Sequence, residues 1–443
     1  MAPVDTLIHA RWVIPVAPEG QLLEHHALAI TGGLIAALVP RAEAGHIAAA
    51  EVVDLPGHAL IPGLVNAHTH AAMTLLRGLA DDLPLLTWLQ EHIWPTETRW
   101  VDAAFVADGT RLAIAEMIRS GTTCFSDMYF YPEVTALAVR DCGLRATLGL
   151  ILIDLPSAWA DNADDYLEKG LALHVALADQ PLIRTALAPH APYSVSDAPL
   201  RRVAALAAEL ELPIHMHVHE TLHEVASAEQ ANGERPLARL QRLGLLSERL
   251  VAVHATQLTQ DEIGSLAAAG AKVVHCPQSN LKLASGFAPL AALDQAGVCC
   301  GIGTDGAASN NDLNMLGEMR SAALLAKAVA ADAAAIPAAR ALTMATLGGA
   351  RAFGWDDQIG TLQVGKQADL VAIDLQRLEC APVHNPLSHI VYAAGRDQVT
   401  DVWVAGRRLM AARKLLGIDE AALLARAEDW RQRIIAGAAE ASR

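Results

Sequence analysis

Pro62-Gly63-Leu64-Val65-Asn66-Ala67-His68-Thr69-His70 reads as the end of a buried strand that delivers two histidines to one place. The run from Ala59 to Val65 is apolar enough for a strand covered on both faces, as in a parallel sheet. Side chains two apart on a strand share a face, so His68 and His70 project together. Two imidazoles on one face just past a buried strand can bind a single metal ion. A bare His-x-His also suits two surface loop histidines, and the rest of the chain has to decide between these readings.

Downstream of Gly63, short apolar runs alternate with Ala-rich amphipathic stretches. Strands are expected at 60–65, 122–126, 145–152, 183–188, 213–218, 250–253, 272–275 and 298–303, with helices at 105–120, 198–211, 260–269 and 315–331 among those between them. Eight strands alternating with helices fit an α/β fold of the (β/α)₈ TIM-barrel type, with an open doubly wound sheet as the alternative. No G-x-G-x-x-G follows an early strand, so a dinucleotide site is not indicated. Both chain ends are β-rich. Residues 4–16 and 27–39 read as strands, with a hairpin turn at Thr31-Gly32-Gly33, and residues 51–55 as another strand, broken by Pro56-Gly57. Strands are also expected at 368–375, 399–404 and 407–410, before an Ala-rich helix from Glu420 to about Ala439. The expected organisation is a barrel over 61–361 and a small β-sandwich domain built from 1–60 and 362–443, which carries the C-terminal helix.

Composition narrows the function classes. The chain has 443 residues, 53% apolar and 19% charged, which describes a globular protein. Lys plus Arg total 33 against 49 Asp plus Glu, a net charge of −16, which argues against a nucleic-acid polyanion as partner. The six cysteines are scattered without a C-x-x-C and read as buried thiols of a reducing compartment. No signal-peptide layout opens the chain and no apolar run approaches the ~18–20 residues of a membrane span. A soluble cytoplasmic protein is expected.

In such a barrel the chemistry sits where strands end. The polar residues there are His68 and His70; Asp127; His190; His215, His217, His219 and Glu220; His254; His275, then Ser279 and Asn280; and Asp305. A single strand-end histidine is ordinarily packed or hydrogen-bonded. Histidines on several separate strands converge only if the strands close around an axis, so barrel and metal site support each other.

The chain resembles the amidohydrolase superfamily, and within it the deaminases of 5'-methylthioadenosine, S-adenosylhomocysteine and adenosine. The resemblance runs over nearly the whole chain. It is carried by the 62–70 stretch, Leu75-Leu76-Arg77-Gly78-Leu79-Ala80-Asp81-Asp82-Leu83-Pro84-Leu85, Trp88-Leu89, Trp94-Pro95-Thr96-Glu97, His217-Val218-His219-Glu220, Ser279-Asn280-Leu281-Lys282-Leu283 and Gly303-Thr304-Asp305-Gly306. It implies one metal held by His68, His70, His217 and Asp305. Three imidazoles and a carboxylate suit Zn²⁺, and the donor types also suit Fe²⁺. Spacing alone does not choose among His215, His217 and His219; the family's His-x-x-Glu pattern picks His217 with Glu220. Binuclear relatives place a lysine after the fourth strand, where this chain has Ala188-Pro189-His190, which favours a single metal.

The resemblance further implies hydrolytic deamination of an adenine nucleoside. Asp305 takes the proton of the attacking water, Glu220 protonates the purine ring, and His254 orients the attacking group. Glu97 accepts from the ribose hydroxyls, His190 contacts the nucleoside, and Trp88 covers the 5' substituent; for Trp88 core packing is the alternative. Some relatives carry an arginine after the third strand, suited to a substrate carboxylate. Here Leu148 to Ile153 is apolar, which ranks methylthioadenosine and adenosine above S-adenosylhomocysteine. The competing enzyme reading is a superfamily deaminase or chlorohydrolase acting on guanine, cytosine or a triazine. A polynucleotide deaminase lacks its H-x-E and P-C-x-x-C ligands here. A catalytically dead scaffold would have broken ligands. A small nucleoside is the expected partner, and family likeness alone suggests a homo-oligomer.

Overall fold

In the computed structural model, which describes residues 3–441, eight parallel strands form one sheet, hydrogen-bonded in chain order. They are Leu64–Thr69, Thr122–Asp127, Arg145–Leu152, Ile183–Pro189, Ile214–Val218, Leu250–His254, Lys272–His275 and Cys299–Ile302. Helices such as Ala103–Arg119, Asp197–Glu209, Gln260–Ala269 and Met315–Ala330 follow them, giving the expected barrel. Between the last and the first strand the seam is closed by the Asn66 side chain and a backbone bond. Asn66 Nδ2 donates to Thr304 Oγ1 at 2.7 Å, Thr304 N donates to Asn66 Oδ1 at 2.9 Å, and Asp305 N donates to His68 O at 3.0 Å.

The first strand differs from expectation. The apolar run from Ala59 onward is divided at Gly63 between two sheets. Ala49–Pro62 belongs to the sheet formed by the chain ends, where Leu60 faces Ala372, and Leu64–Thr69 opens the barrel. Apolarity cannot show this, because both halves are buried. Gly63 allows the passage, since a Cβ there would lie 1.9 Å from Thr123 Oγ1. His68 therefore lies inside a strand, and His70 is one residue past its end. Pro56-Gly57 does not break its strand either. Ala10 pairs with Leu55 and Trp12 with Ala59, so a bulge absorbs the Pro-Gly step.

The chain ends form one continuous sheet of eight strands, in the order Lys414–Leu415, Arg407–Ala411, Val399–Val404, Leu370–Asp374, Ala49–Pro62, Val4–Val13, Leu23–Thr31 and Leu34–Pro40. It curls until the turn at Gly406 touches the hairpin at Gly33, enclosing Ile8, Leu28, Ile30, Leu60, Leu370 and Trp403 as a sandwich would. A buried ion pair joins this sheet to the barrel. Arg145 meets Asp369 through two bonds of 2.9 and 3.1 Å, both side chains 1% exposed. The helix Glu420–Ala441 packs through Trp430, edge-on to Phe105, with Nε1 donating to Asp108 at 3.0 Å.

Candidate metal centre and active site

His68 and His70 come from the first barrel strand and its end, His217 from the fifth strand, and Asp305 from the loop after the eighth. One donor atom from each lies within 4.8 Å of all the others. His68 Nε2 is 3.2 Å from His217 Nε2 and 3.3 Å from Asp305 Oδ1, and His70 Nε2 is 3.2 Å from the same oxygen. Four donors ~2.1 Å from a tetrahedral cation stand about 3.4 Å apart, so these edges have the right length.

The opposite ring nitrogens fix the orientation. His70 Nδ1 donates to Met128 O at 2.5 Å and His217 Nδ1 to His190 O at 2.8 Å; a carbonyl only accepts, so each Nε2 presents a lone pair to the cluster. His68 Nδ1 lies 2.9 Å from His215 Nε2, which gives His215 a role in aligning His68. Ring nitrogens of His68 and His217 3.2 Å apart beside a buried carboxylate form a group that a positive charge between them would satisfy. Burial holds His68 down to about 4. Burial also opposes charge on His70, yet Asp305 and the Met128 carbonyl outweigh it and raise His70, so Nε2 opposite Asp305 is a place for a positive charge, which a proton or a bound cation would supply. The donor set thus fits one divalent cation. Asp305 Oδ2 accepts from Ser279 at 2.6 Å and Ser309 at 2.8 Å, while Oδ1 accepts from Gly306 N at 2.8 Å and faces the histidines.

Glu220 and His254 stand beside this group. His254 Nε2 is 3.9 Å from Glu220 Oε1, its ring stacks on His217 at 5.4 Å, and its Nδ1 donates to Asn280 Oδ1 at 2.9 Å. Burial raises the Glu220 carboxyl and Asp305 adds to it, against the pull of His254 and His70. His190 lies with its ring 4.9 Å from His217 and its Nδ1 2.9 Å from Ser194 Oγ, and burial pushes it down to about 3. Glu97 is part-buried and accepts from the Tyr129 hydroxyl at 2.7 Å; the Tyr129 ring is 6.4 Å from His70. Burial raises Glu97 while the Tyr129 bond lowers it. Trp88 is buried in an apolar cluster that includes Met73, Leu76 and Tyr129.

Other polar strand-end residues lie elsewhere. His219 accepts from Leu237 N at 3.1 Å and pins the helix Pro236–Arg242. His275 borders a crevice with Phe287, Leu325 and Val329. Asp127 accepts from Ala71 N at 2.7 Å, fixing the turn after His70. Arg77 pairs with Glu116, and Arg99 donates to Gly437 O. Tyr129, Ser309 and the seam-closing role of Asn66 escaped the sequence reading. Tyr129 follows the second strand end by two residues, and Asn66 stands in the opening stretch itself, so position alone marked both.

With this barrel and this donor group, the chain belongs to the amidohydrolase family, whose model matches residues 59–409. It is a hydrolase acting on carbon–nitrogen bonds. Among its relatives is a 5-methylthioadenosine/S-adenosylhomocysteine deaminase from Teredinibacter turnerae, 49% identical over 97% of this chain and 98% of the relative. A solved adenosine deaminase from Xanthomonas campestris with bound zinc superposes with a TM-score of 0.97 at 56% identity, covering 98% of this chain and 99% of the other. A zinc-complexed atrazine chlorohydrolase from Arthrobacter aurescens has a TM-score of 0.87 at 24% identity over 96% of this chain and 99% of its own, and shares the fold.

Proposed function

We propose that the protein hydrolytically deaminates adenine nucleosides, with methylthioadenosine, 5'-deoxyadenosine and adenosine ahead of S-adenosylhomocysteine. The supporting observation is the Glu97–Tyr129 pair set beside the His68, His70, His217 and Asp305 group, with Glu220 on the same mouth. A part-buried carboxylate held by a phenol suits a pair of ribose hydroxyls better than it suits a free base. When bound by those four residues, the metal, Zn²⁺ in this reading with Fe²⁺ as the alternative, makes hydroxide available near neutral pH.

The chain's own groups do the rest. Asp305, ionised and held by Ser279 and Ser309, accepts the proton of the attacking water. Glu220, whose neutral form burial favours, gives a proton to the ring nitrogen beside the amino-bearing carbon, so that charge does not build up on the purine. His254, its Nδ1 proton given to Asn280, directs Nε2 at the attacking group. Of the water's two protons, one passes from Asp305 to the departing amino group and the other restores Glu220; ammonia leaves, and an inosine-type nucleoside protonated at that ring nitrogen remains. His190 lies beside His217 where it can contact the nucleoside, and Trp88 backs the 5' side. The stretch after the third strand offers no cation: Asp154 accepts from Ser196 N, and Arg77 is tied to Glu116. An apolar 5' group therefore suits the site better than a homocysteine tail.

The reading places the enzyme in the cytoplasm, in keeping with six cysteines outside any disulfide, and no described helix is long and apolar enough to cross a membrane. Ammonia release from adenosine, methylthioadenosine, 5'-deoxyadenosine, S-adenosylhomocysteine, adenine and guanine, with metal content measured, tests it. Turnover is expected on the nucleosides. Turnover on a free base alone would overturn the reading.

A further inference from the structure

The turn that carries Glu220 is gripped from two sides. Its carbonyls are held by the sixth strand's loop: Thr256 N and Gln257 N donate to His219 O at 3.0 and 3.3 Å, and Thr256 Oγ1 donates to Glu220 O at 2.7 Å. Its amides are held by one side chain. The Glu224 carboxylate accepts from Glu220 N at 2.7 Å through one oxygen and from His219 N at 3.2 Å through the other. Glu224 is 8% exposed and has no part in the reaction as described.

Helix capping explains only part of this. Glu224 stands at the third position of the helix Leu222–Asn232, and its own amide donates to the cap residue Thr221 at 3.1 Å. In a capping box the third-position carboxylate reaches back to the cap residue's amide. Here it reaches the two residues before the cap, which include Glu220. The backbone it clamps is also strained, with His219 at φ 55°. A carboxylate accepts at both oxygens, whereas a carboxamide must turn an N–H₂ toward one of the two amides.

We propose that Glu224 is a positioning residue for Glu220: by holding two successive amides it sets the direction in which the Glu220 carboxyl enters the barrel mouth. The proposal rests on the reading of Glu220 as the proton donor to the purine.

The test uses the metal-loaded enzyme and steady-state ammonia release from methylthioadenosine, with metal content and Tm measured on every variant. Glu224→Gln is expected to lose about 10- to 100-fold in kcat, the range for removing a group that orients a functional side chain, with KM and metal content held. Glu224→Asp, which keeps the charge and shortens the reach, loses kcat likewise. Thr221→Ala removes the cap and leaves the clamp, so its Tm falls while kcat stays within about twofold. The double variant Glu220→Gln/Glu224→Gln turns over at the rate of Glu220→Gln alone, because the second residue acts only through the first. Wild-type kcat in both Glu224 variants, or an equal kcat loss in Thr221→Ala, would reduce Glu224 to a helix cap and overturn the proposal. Near-normal turnover of Glu220→Gln would instead remove the proton-donor reading itself, a pattern distinct from an inactive Glu220→Gln beside active Glu224 variants.

Discussion

Gly303→Ala should loosen the metal site without touching a ligand. A Cβ at residue 303 would lie 2.7 Å from His68 N, 2.9 Å from His68 Cβ and 2.9 Å from His68 O. Ordinary contact begins at 3.4 Å, so the first strand has to move by about 0.5–0.7 Å, and no flexible side-chain end is there to yield. Such overpacking costs roughly 1–3 kcal/mol of stability. The consequence for the site is larger in kind, because His68 and Asp305 lie on the two sides of this seam with donor atoms 3.3 Å apart. Metal bonds tolerate about ±0.2 Å, so a shift of that size weakens at least one of them. We expect metal affinity to fall by at least ~10- to 100-fold, comparable to losing a ligand-orienting partner, or about 1.4–2.8 kcal/mol. The assay is chelator competition, with Tm measured on the same samples. Gly264→Ala is the control: it lies in the helix Gln260–Ala269 with open space around it, and should leave metal affinity unchanged while raising stability by about 0.5–1 kcal/mol. Wild-type metal affinity in Gly303→Ala would refute the idea that the seam sets the donor spacing.

Asp369→Asn leaves the buried Arg145 guanidinium without its carboxylate and should cost about 3–5 kcal/mol, read from the urea midpoint. His275 is pushed down to about 3, by burial first and His254 second, from an ordinary 6.5. The unfolded chain therefore binds a proton below pH 6.5 that the folded protein refuses until about pH 3, so stability falls as pH drops through that window. At pH 5 the loss is about 2 kcal/mol, and urea titrations of His275→Leu at pH 7.5 and 5 should show that much less acid sensitivity. Tyr129→Phe removes the phenol donor that holds the Glu97 carboxylate in place; KM for methylthioadenosine should rise about tenfold with kcat little changed, an effect of about 1.4 kcal/mol.

What was legible in the sequence follows from what each signal encodes. The third barrel strand, 145–152, and the helix Gln260–Ala269 match their sequence ranges to the residue: an apolar run marks the strand, and the structure shows the helix opened by a Thr259–Glu262 capping box and closed at Gly270. The first strand was misplaced because burial on both sides of Gly63 looks the same whichever sheet supplies it. His68, His70, His217 and Asp305 were found through strand ends and family likeness, and the structure brings their donor atoms together. The supporting contacts show only in the structure: His215 meets His68 across 147 residues, Asn66 meets Thr304 across 238 and Tyr129 meets Glu97 across 32, while Ser309 is only four residues from Asp305, where nothing local distinguishes a serine that braces a carboxylate from one that faces solvent.

The central claim is that one mouth holds both a metal, through His68, His70, His217 and Asp305, and a proton donor, Glu220, for deaminating a nucleoside. The most direct measurement is kcat/KM for methylthioadenosine in wild-type protein and Glu220→Gln, each shown to carry the same metal content. The account predicts a loss of about 10²–10⁴-fold in the variant, the span of general acid–base catalysis. Equal metal content with a rate within tenfold of wild type would contradict it.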